Sequence, residues 1–201
     1  MKLRSFRGLL ILIAISIIAF FAGIYVASSG VFSPLSETAS TTVSTASVPS
    51  ISVEFPRAGD DAEGTLISQM NSATSTMDVA IYEFTDSNIA DAIVSAEKRG
   101  VNVRVILDAG NTTDSYESQN VSKLEDAGIP IVVNTHSGIM HLKVTVTDES
   151  VVSTGSYNYT SSAQKKNDEN LVTITDSAVA QIYETEFNRM WSDTSNYETL
   201  S

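Results

Sequence analysis

Three short runs rich in β-branched residues alternate with helical stretches in the middle of this sequence, at residues 77–84, 101–107 and 129–133. In the second run, VNVRVIL, apolar side chains recur at every second position, as they do in a strand. The intervening helical stretches end at Gly100 and Gly128, and glycine is the residue that most often follows a helix C-terminus. This strand–helix–strand pattern predicts an α/β domain with a mixed, largely parallel sheet flanked by helices.

The N-terminal part of the chain carries a different signal. Residues 8–26 form a run of 19 residues without a charge, long enough to cross a bilayer as a helix. Lys2, Arg4 and Arg7 precede this run, so we expect the N-terminus to stay in the cytoplasm and the rest of the chain to be exported. The predicted segments are a membrane anchor or signal helix at residues 1–27, a flexible Ser/Thr-rich stalk at 28–50 and a folded domain at 51–201. Small residues follow the apolar run, and cleavage there would make the protein secreted rather than anchored.

The charge of the chain limits how it can hold a polyanion. The sequence has 12 basic and 24 acidic residues, a net charge of −12, and three of the basic residues precede the apolar run. A chain this acidic cannot bind nucleic acid by broad phosphate neutralisation. Lys165 and Lys166 are candidates for a local basic cluster, although such a pair is usually a solvated surface feature. The absence of cysteine excludes disulfides, zinc–thiolate sites and a cysteine nucleophile.

The residues able to carry chemistry lie in the stretch 140–158, MHLKVTVTDESVVSTGSYN. If a strand runs from His141, then His141 and Lys143 share its polar face, because alternate side chains of a strand point the same way. At the mouth of the next strand, Ser156 and Asn158 fall on one face. An imidazole, an ammonium, a hydroxyl and an amide are the groups needed to bind and attack a phosphodiester.

The spacing His-x-Lys-x4-Asp-x6-Gly-Ser-x-Asn, filled by residues 141, 143, 148, 155, 156 and 158, resembles the HKD signature of the phospholipase D superfamily. The surrounding sequence is similar to the short, single-motif, nuclease-like branch of that superfamily, over about residues 51–191. The resemblance implies the phospholipase D/nuclease fold and a metal-independent phosphodiesterase that uses no cofactor.

The resemblance also implies a role for each site residue. His141 matches the nucleophile that forms a covalent phosphohistidine, and Lys143, Ser156 and Asn158 match the phosphate-binding residues. Glu169 matches the acidic residue that accepts a hydrogen bond from Nδ1 of the imidazole, which leaves Nε2 to attack. Asp148 belongs to the signature and is placed with the catalytic residues, either orienting Lys143 or holding the turn at the strand end.

One signature gives one candidate nucleophile, whereas the reaction also needs a group that protonates the leaving oxygen. The only other histidine, His136, lies in a loop and is expected at the rim of the site or in solvent. The single-motif branch solves this by homodimerising about a two-fold axis, so we expect a homodimer in which two copies of His141 face one phosphate.

Three functions stay open at this point. The leading one is an endonuclease acting outside the cytoplasm, held at the membrane by the N-terminal segment or secreted. The alternative is a phospholipase D or cardiolipin-type lipid hydrolase, which the membrane anchor would favour. The third is a non-catalytic binding module, which the complete signature disfavours.

Overall fold

The computed structural model of the protein describes residues 48–200. The predicted anchor and most of the predicted stalk lie outside these residues. Within the described part of the chain, no helix is both long enough and apolar enough to span a membrane.

Eight strands and five helices make up the described chain. The strands are β1 (Ser50–Glu54), β2 (Thr76–Ile81), β3 (Asn102–Leu107), β4 (Ile131–Asn134), β5 (Lys143–Thr147), β6 (Val151–Gly155), β7 (Leu171–Thr175) and β8 (Tyr197–Thr199). The helices are α1 (Ala62–Ser72), α2 (Ser87–Lys98), α3 (Glu117–Asp126), α4 (Ser161–Lys165) and α5 (Ser177–Ser192), and a 3-10 turn covers Pro56–Ala58.

All eight strands form one sheet in the order β1-β7-β6-β5-β2-β3-β4-β8. The pairs β2–β3 and β3–β4 are parallel, and the other five pairs are antiparallel. The mixed α/β class is therefore confirmed, but the expectation of a largely parallel sheet is wrong. Helical crossovers, which parallel pairing requires, join only β2, β3 and β4. The chain from β5 to β7 reverses direction at each connection, at a tight turn between β5 and β6 and through residues 156–170, which contain α4, between β6 and β7, so these neighbours are antiparallel.

Helices cover both faces of the sheet. On one face α1, α2 and α3 enclose the larger core, with Leu66, Ile93 and Leu124 inaccessible to solvent. On the other face α5 packs across the sheet through Ala180 and Phe187. This layered arrangement leaves the ends of the strands as the place where polar side chains can meet solvent.

Strand β5 departs from its expected pattern because both faces of the sheet are covered. It begins at Lys143 rather than at His141, and all five of its residues are buried. Thr145, which would continue the polar face of His141 and Lys143, is inaccessible to solvent, and its Oγ1 lies 2.6 Å from the hydroxyl of Tyr159. The expected polar face is thus limited to the mouth of the strand.

Candidate active site

A cleft of about 530 Å³ opens at one end of β5 and β6. The antiparallel register pairs Val144 with Thr154, so Lys143 at the start of β5 lies beside Gly155 at the end of β6. The cleft is lined by His141, Lys143, Gly155, Ser156, Asn158 and Glu169. The structure therefore brings together every predicted site residue except Asp148.

His141 lies just before β5, on a segment held from both sides. The backbone N–H of Met140 donates to Oδ2 of Asp108 (2.8 Å), and the carbonyl of Leu142 accepts from the N–H of Tyr82 (3.0 Å). The imidazole is exposed and meets the ring of Tyr82 edge-on, with ring centroids 4.5 Å apart. Its position is thereby fixed while the ring stays accessible to a ligand.

Lys143 is buried up to its ammonium group, which faces the cleft. Nζ donates to the backbone carbonyl of His141 (3.0 Å) and lies 4.8 Å from the ring centroid of Tyr82. Burial lowers the pKa of Lys143, and the negative charges of Glu83 and Glu169 act in the opposite direction. A desolvated ammonium of this kind interacts strongly with an anion that enters the cleft.

Ser156 is held by the start of β7. Its N–H donates to the carbonyl of Asn170 (3.1 Å), and its Oγ accepts from the N–H of Asn170 (3.0 Å), so the hydroxyl hydrogen can point into the cleft. Gly155 allows this close approach, because a Cβ at that position would lie 2.3 Å from the Asn170 carbonyl oxygen. Its φ of 139° also favours glycine.

Asn158 is oriented by a carboxylate that the sequence reasoning missed. Its Nδ2 donates to Oε2 of Glu83 (2.9 Å), and its buried Oδ1 has no hydrogen-bond partner among residues 48–200. The amide keeps a second N–H for an anion. Glu83 escaped notice because its position depends on the pairing of β2 with β5, which places Ile81 beside Lys143.

The segment that carries Tyr82 and Glu83 rests on a buried acid. Oε2 of Glu117 accepts a hydrogen bond from the N–H of Phe84 (2.9 Å), while Oε1 has no partner in the described chain. Burial raises the pKa of Glu117 to about 7. The Glu117 carboxyl group therefore helps to fix the loop that contacts Lys143 and Asn158.

Glu169 lines the cleft without contacting the imidazole of its own chain. Its Oε1 accepts from Nδ2 of Asn167 (3.0 Å), and no hydrogen bond joins it to His141 within residues 48–200. It lines the same cleft as Lys143, and its negative charge acts to raise the pKa of the lysine. The hydrogen bond expected between Nδ1 of His141 and Glu169 is therefore not formed within the described residues.

Asp148 lies at the opposite end of β5, about 16 Å along the strand from Lys143. Its carboxylate accepts hydrogen bonds from the N–H groups of Thr74, Ser75 and Thr76 and from Oγ1 of Thr74, at 2.7–3.2 Å. These bonds lower its pKa against the opposing effect of partial burial. Asp148 is therefore not part of the cleft, which corrects its expected place among the catalytic residues. Its carboxylate fixes the turn before β2 instead. At this position the signature contains a residue that the fold requires.

The remaining candidates lie outside the cleft. His136 is half-buried, with its ring 5.7 Å from that of Tyr197, and does not line the cleft. Lys165 and Lys166 are exposed at the end of α4. Residues 48–200 contain no group of three or more His, Asp and Glu side chains arranged to hold a metal ion.

The sequence is similar to those of known proteins. A family model described as "Cardiolipin synthase, PLD-like domain" matches residues 66–191. The chain is 32% identical to "Phospholipase D" of Rickettsia prowazekii over 191 residues. This match covers 90% of this chain and 92% of the rickettsial protein. It is 32% identical over 134 residues to "Mitochondrial cardiolipin hydrolase" of Xenopus laevis, covering 67% of this chain and 63% of the frog protein.

The fold is also similar to that of a solved structure. The crystal structure of a phospholipase D family member, Nuc from Salmonella typhimurium, superposes with a TM-score of 0.70 at 29% identity. The match covers 76% of this chain and 99% of Nuc. A family model that spans more than half of the chain agrees with the cleft built from the signature residues. The chain therefore belongs to the phospholipase D superfamily and is a phosphodiester hydrolase.

Proposed function

We propose that this protein is a metal-independent endonuclease that cleaves phosphodiester bonds through a phosphohistidine on His141. The observation that carries the proposal is the cleft itself, in which His141 faces the donors of Lys143, Ser156 and Asn158. We infer that a phosphate binds among these donors, where the exposed imidazole can attack it.

In the first step Nε2 of His141 forms a bond to phosphorus, and the bond from phosphorus to the leaving oxygen breaks. Lys143, Ser156 and Asn158 hold the non-bridging oxygens as negative charge builds on them. In the second step water attacks phosphorus, and the bond to Nε2 breaks. A carboxylate on Nδ1–H, the role proposed for Glu169, keeps the tautomer that leaves Nε2 free.

The leaving oxygen must receive a proton, and no second imidazole lines the cleft of one chain in the described residues. We propose a homodimer in which the partner subunit's His141 donates this proton and later accepts one from water. The reaction then needs one neutral and one protonated imidazole, so activity should follow a bell-shaped pH profile. The lack of contact between Glu169 and His141 within one chain is compatible with a site completed across the dimer.

We propose nucleic acid as the substrate. The similarity to Nuc covers nearly all of that chain, so the domain resembles a compact member of the superfamily. We further propose that residues 8–26 hold the protein at a membrane with the domain outside the cytoplasm, or that their cleavage releases it. Export would direct the activity at nucleic acid outside the cell.

A phospholipase D or cardiolipin-type hydrolase is the second candidate. Two relatives carry names of this kind, and two exposed apolar side chains flank the nucleophile: Ile139 is 54% exposed and Leu142 is 37% exposed. Apolar residues at the mouth of a site can contact a lipid surface.

One experiment separates these functions from a non-catalytic binding module. The purified protein and its His141→Ala variant are incubated in EDTA with single- and double-stranded DNA, RNA and cardiolipin vesicles. We expect cleavage of nucleic acid by the wild-type protein and none by the variant. Cleavage of lipid alone would assign the second candidate, and cleavage of nothing would indicate a binding module. Inhibition by EDTA would contradict the mechanism.

A further inference from the structure

A second depression lies beside the catalytic cleft and shares two residues with it. Its volume is about 530 Å³, and Ser156 and Glu169 belong to both. Its other walls are Phe55, Arg57, Ala58, Asp168 and Asn170. We call it the flanking cleft. A substrate whose phosphate lies against Ser156 would therefore extend directly into it.

The flanking cleft presents an aromatic ring at its surface. Phe55 follows the last residue of β1, and its N–H donates to Oδ2 of Asp60 (2.8 Å). Its carbonyl accepts from the N–H of Ala58 (2.9 Å), which closes the turn. The backbone of Phe55 is thus fixed, yet its side chain remains 51% exposed. An exposed ring on a fixed turn is a platform on which a planar group can stack.

Polar groups surround this ring. Nη1 of Arg57 donates to the carbonyl of Lys166, which ties the turn to the end of α4. Asp168 adds an exposed carboxylate, and the charge of Glu169 is partly offset by Lys143. The carboxylates of Asp60, Asp168 and Glu169 outnumber the guanidinium of Arg57 around the ring, so a second phosphate is disfavoured there. A neutral, planar ligand with donors and acceptors at its edge suits this environment better than a phosphate.

From these contacts we propose that the flanking cleft binds the nucleobase next to the scissile phosphate of a single-stranded nucleic acid. The base stacks on Phe55 and presents its edge to Arg57 and Asp168. Stacking on an aromatic side chain tolerates any base, so the subsite selects nucleic acid without selecting a sequence. This inference rests on the proposed nuclease function and names the feature of the substrate that the site reads.

The test compares two single-stranded oligonucleotides, one of thymidines and one with abasic sugars on the same backbone. We expect the wild-type protein to cleave the thymidine oligonucleotide with a kcat/KM about tenfold higher. Phe55→Ala should remove most of this preference by slowing the thymidine substrate alone. Phe55→Tyr, which keeps a ring, should restore it. Tyr116→Ala is the matched control, because Tyr116 is 71% exposed and lines neither cleft.

Three results would overturn the proposal. They are measurable and equal cleavage of both oligonucleotides by the wild type, an equal loss on both substrates in Phe55→Ala, and equal binding of both oligonucleotides to His141→Ala. Binding of both oligonucleotides to His141→Ala, measured by fluorescence anisotropy, separates this inference from the nuclease function. Tighter binding of the thymidine oligonucleotide, together with no cleavage by the wild type, would contradict the nuclease function and support base binding in the flanking cleft.

Discussion

Oε2 of Glu83 accepts a hydrogen bond of 2.9 Å from Nδ2 of Asn158. A carboxylate from the end of β2 thus fixes an amide that the phosphate is expected to contact. The same carboxylate raises the pKa of Lys143, against the larger effect of burial. We therefore expect Glu83 to position two of the groups proposed to bind the phosphate, although it carries the same sign of charge as the substrate.

Replacement of Glu83 should lower the rate without preventing folding. In Glu83→Ala, Asn158 loses its orienting acceptor, and we expect kcat to fall about tenfold, since hydrogen bonds to charged groups contribute about 1.5–3 kcal/mol. Glu83→Gln keeps an acceptor oxygen and should recover most of kcat near neutral pH. Both variants remove a negative charge that raises the pKa of Lys143, so loss of the lysine proton should add to the fall of activity at high pH and move that fall to a lower pH than in the wild type.

The measurement is the pH profile of kcat for an oligonucleotide substrate. Glu125→Ala, which removes an exposed carboxylate from α3, serves as the control and should leave the profile unchanged. If Glu83→Ala keeps the wild-type kcat and alkaline limb, Glu83 does not position the phosphate-binding residues.

Asp148 should matter for stability and not for chemistry. Asp148→Ala leaves the N–H groups of Thr74, Ser75 and Thr76 without their acceptor and places alanine at a φ of 52°. We expect a loss of about 2 kcal/mol in the free energy of unfolding and a kcat within about twofold of the wild type. Asp148→Asn retains one acceptor oxygen and tolerates the left-handed backbone, so its loss should be smaller.

The pH dependence of the Asp148 effect follows from its lowered pKa. The ionised carboxylate contributes stability above the pKa of the unfolded state, and this contribution is lost as the pH falls through the folded pKa. Urea denaturation should therefore show the gap between wild type and Asp148→Asn narrowing in acid. A large loss of kcat in a fully folded Asp148→Ala protein would return this residue to the active site.

Glu184 should give stability a pH dependence of the opposite sign to that of Asp148. Glu184 on α5 lies beside the buried Asp78–Arg104 ion pair, and its Oε2 is 3.8 Å from Nη2 of Arg104. Burial, reinforced by Asp78, raises the pKa of Glu184 to about 8. Between the unfolded and folded pKa values only the folded state holds the proton, so stability falls as the pH rises through this range. The free energy of unfolding falls by up to about 1.4 kcal/mol for each pH unit in this range.

Glu184→Gln removes this ionisable group, so position 184 no longer contributes to the pH dependence of the unfolding free energy. We expect the variant to gain stability relative to the wild type as the pH rises from about 5 to about 9, in urea denaturation followed by circular dichroism. The variant-minus-wild-type difference isolates Glu184 from the other acids. A difference that stays constant with pH, or shrinks toward high pH, would show that Glu184 is ionised in the folded protein throughout.

Subunit mixing tests the need for two copies of His141 in one site. If wild-type and His141→Ala chains exchange freely at equal amounts, only about one quarter of the dimers carry two histidines. Activity per total wild-type chain should then fall to about half of its unmixed value, because half of those chains sit in mixed dimers. Unchanged activity, or a monomer by light scattering, would mean that each chain works alone.

The sequence predicted the cleft better than it predicted the sheet. His141, Lys143, Ser156 and Asn158 meet because they flank one antiparallel hairpin, a local arrangement that their spacing already encodes. The order of strands does not follow from local patterns, since burial on both faces makes parallel and antiparallel strands look alike. Strand β5 pairs with β2, which precedes it by more than 60 residues, and the pairing is antiparallel.

The same long-range pairing explains the two residue-level surprises. Glu83 reaches Asn158 only because β2 lies beside β5, and nothing in the sequence near either residue indicates the contact. Asp148 was grouped with the catalytic residues because it belongs to the signature, yet its bonds go to the turn before β2. A signature combines residues needed for chemistry with residues needed for the fold, and only the structure separates them.

The most direct test of the mechanism is mass spectrometry of the enzyme trapped during turnover. The protein is mixed with an oligonucleotide in EDTA, quenched in alkali within milliseconds and digested, because a phosphorus–nitrogen bond survives alkali better than acid. We predict a nucleotidyl adduct on the peptide that contains His141, present in the wild type and absent in His141→Ala. Turnover in the wild type with no adduct on His141 under any quench time, or with the adduct on another residue, would contradict the account.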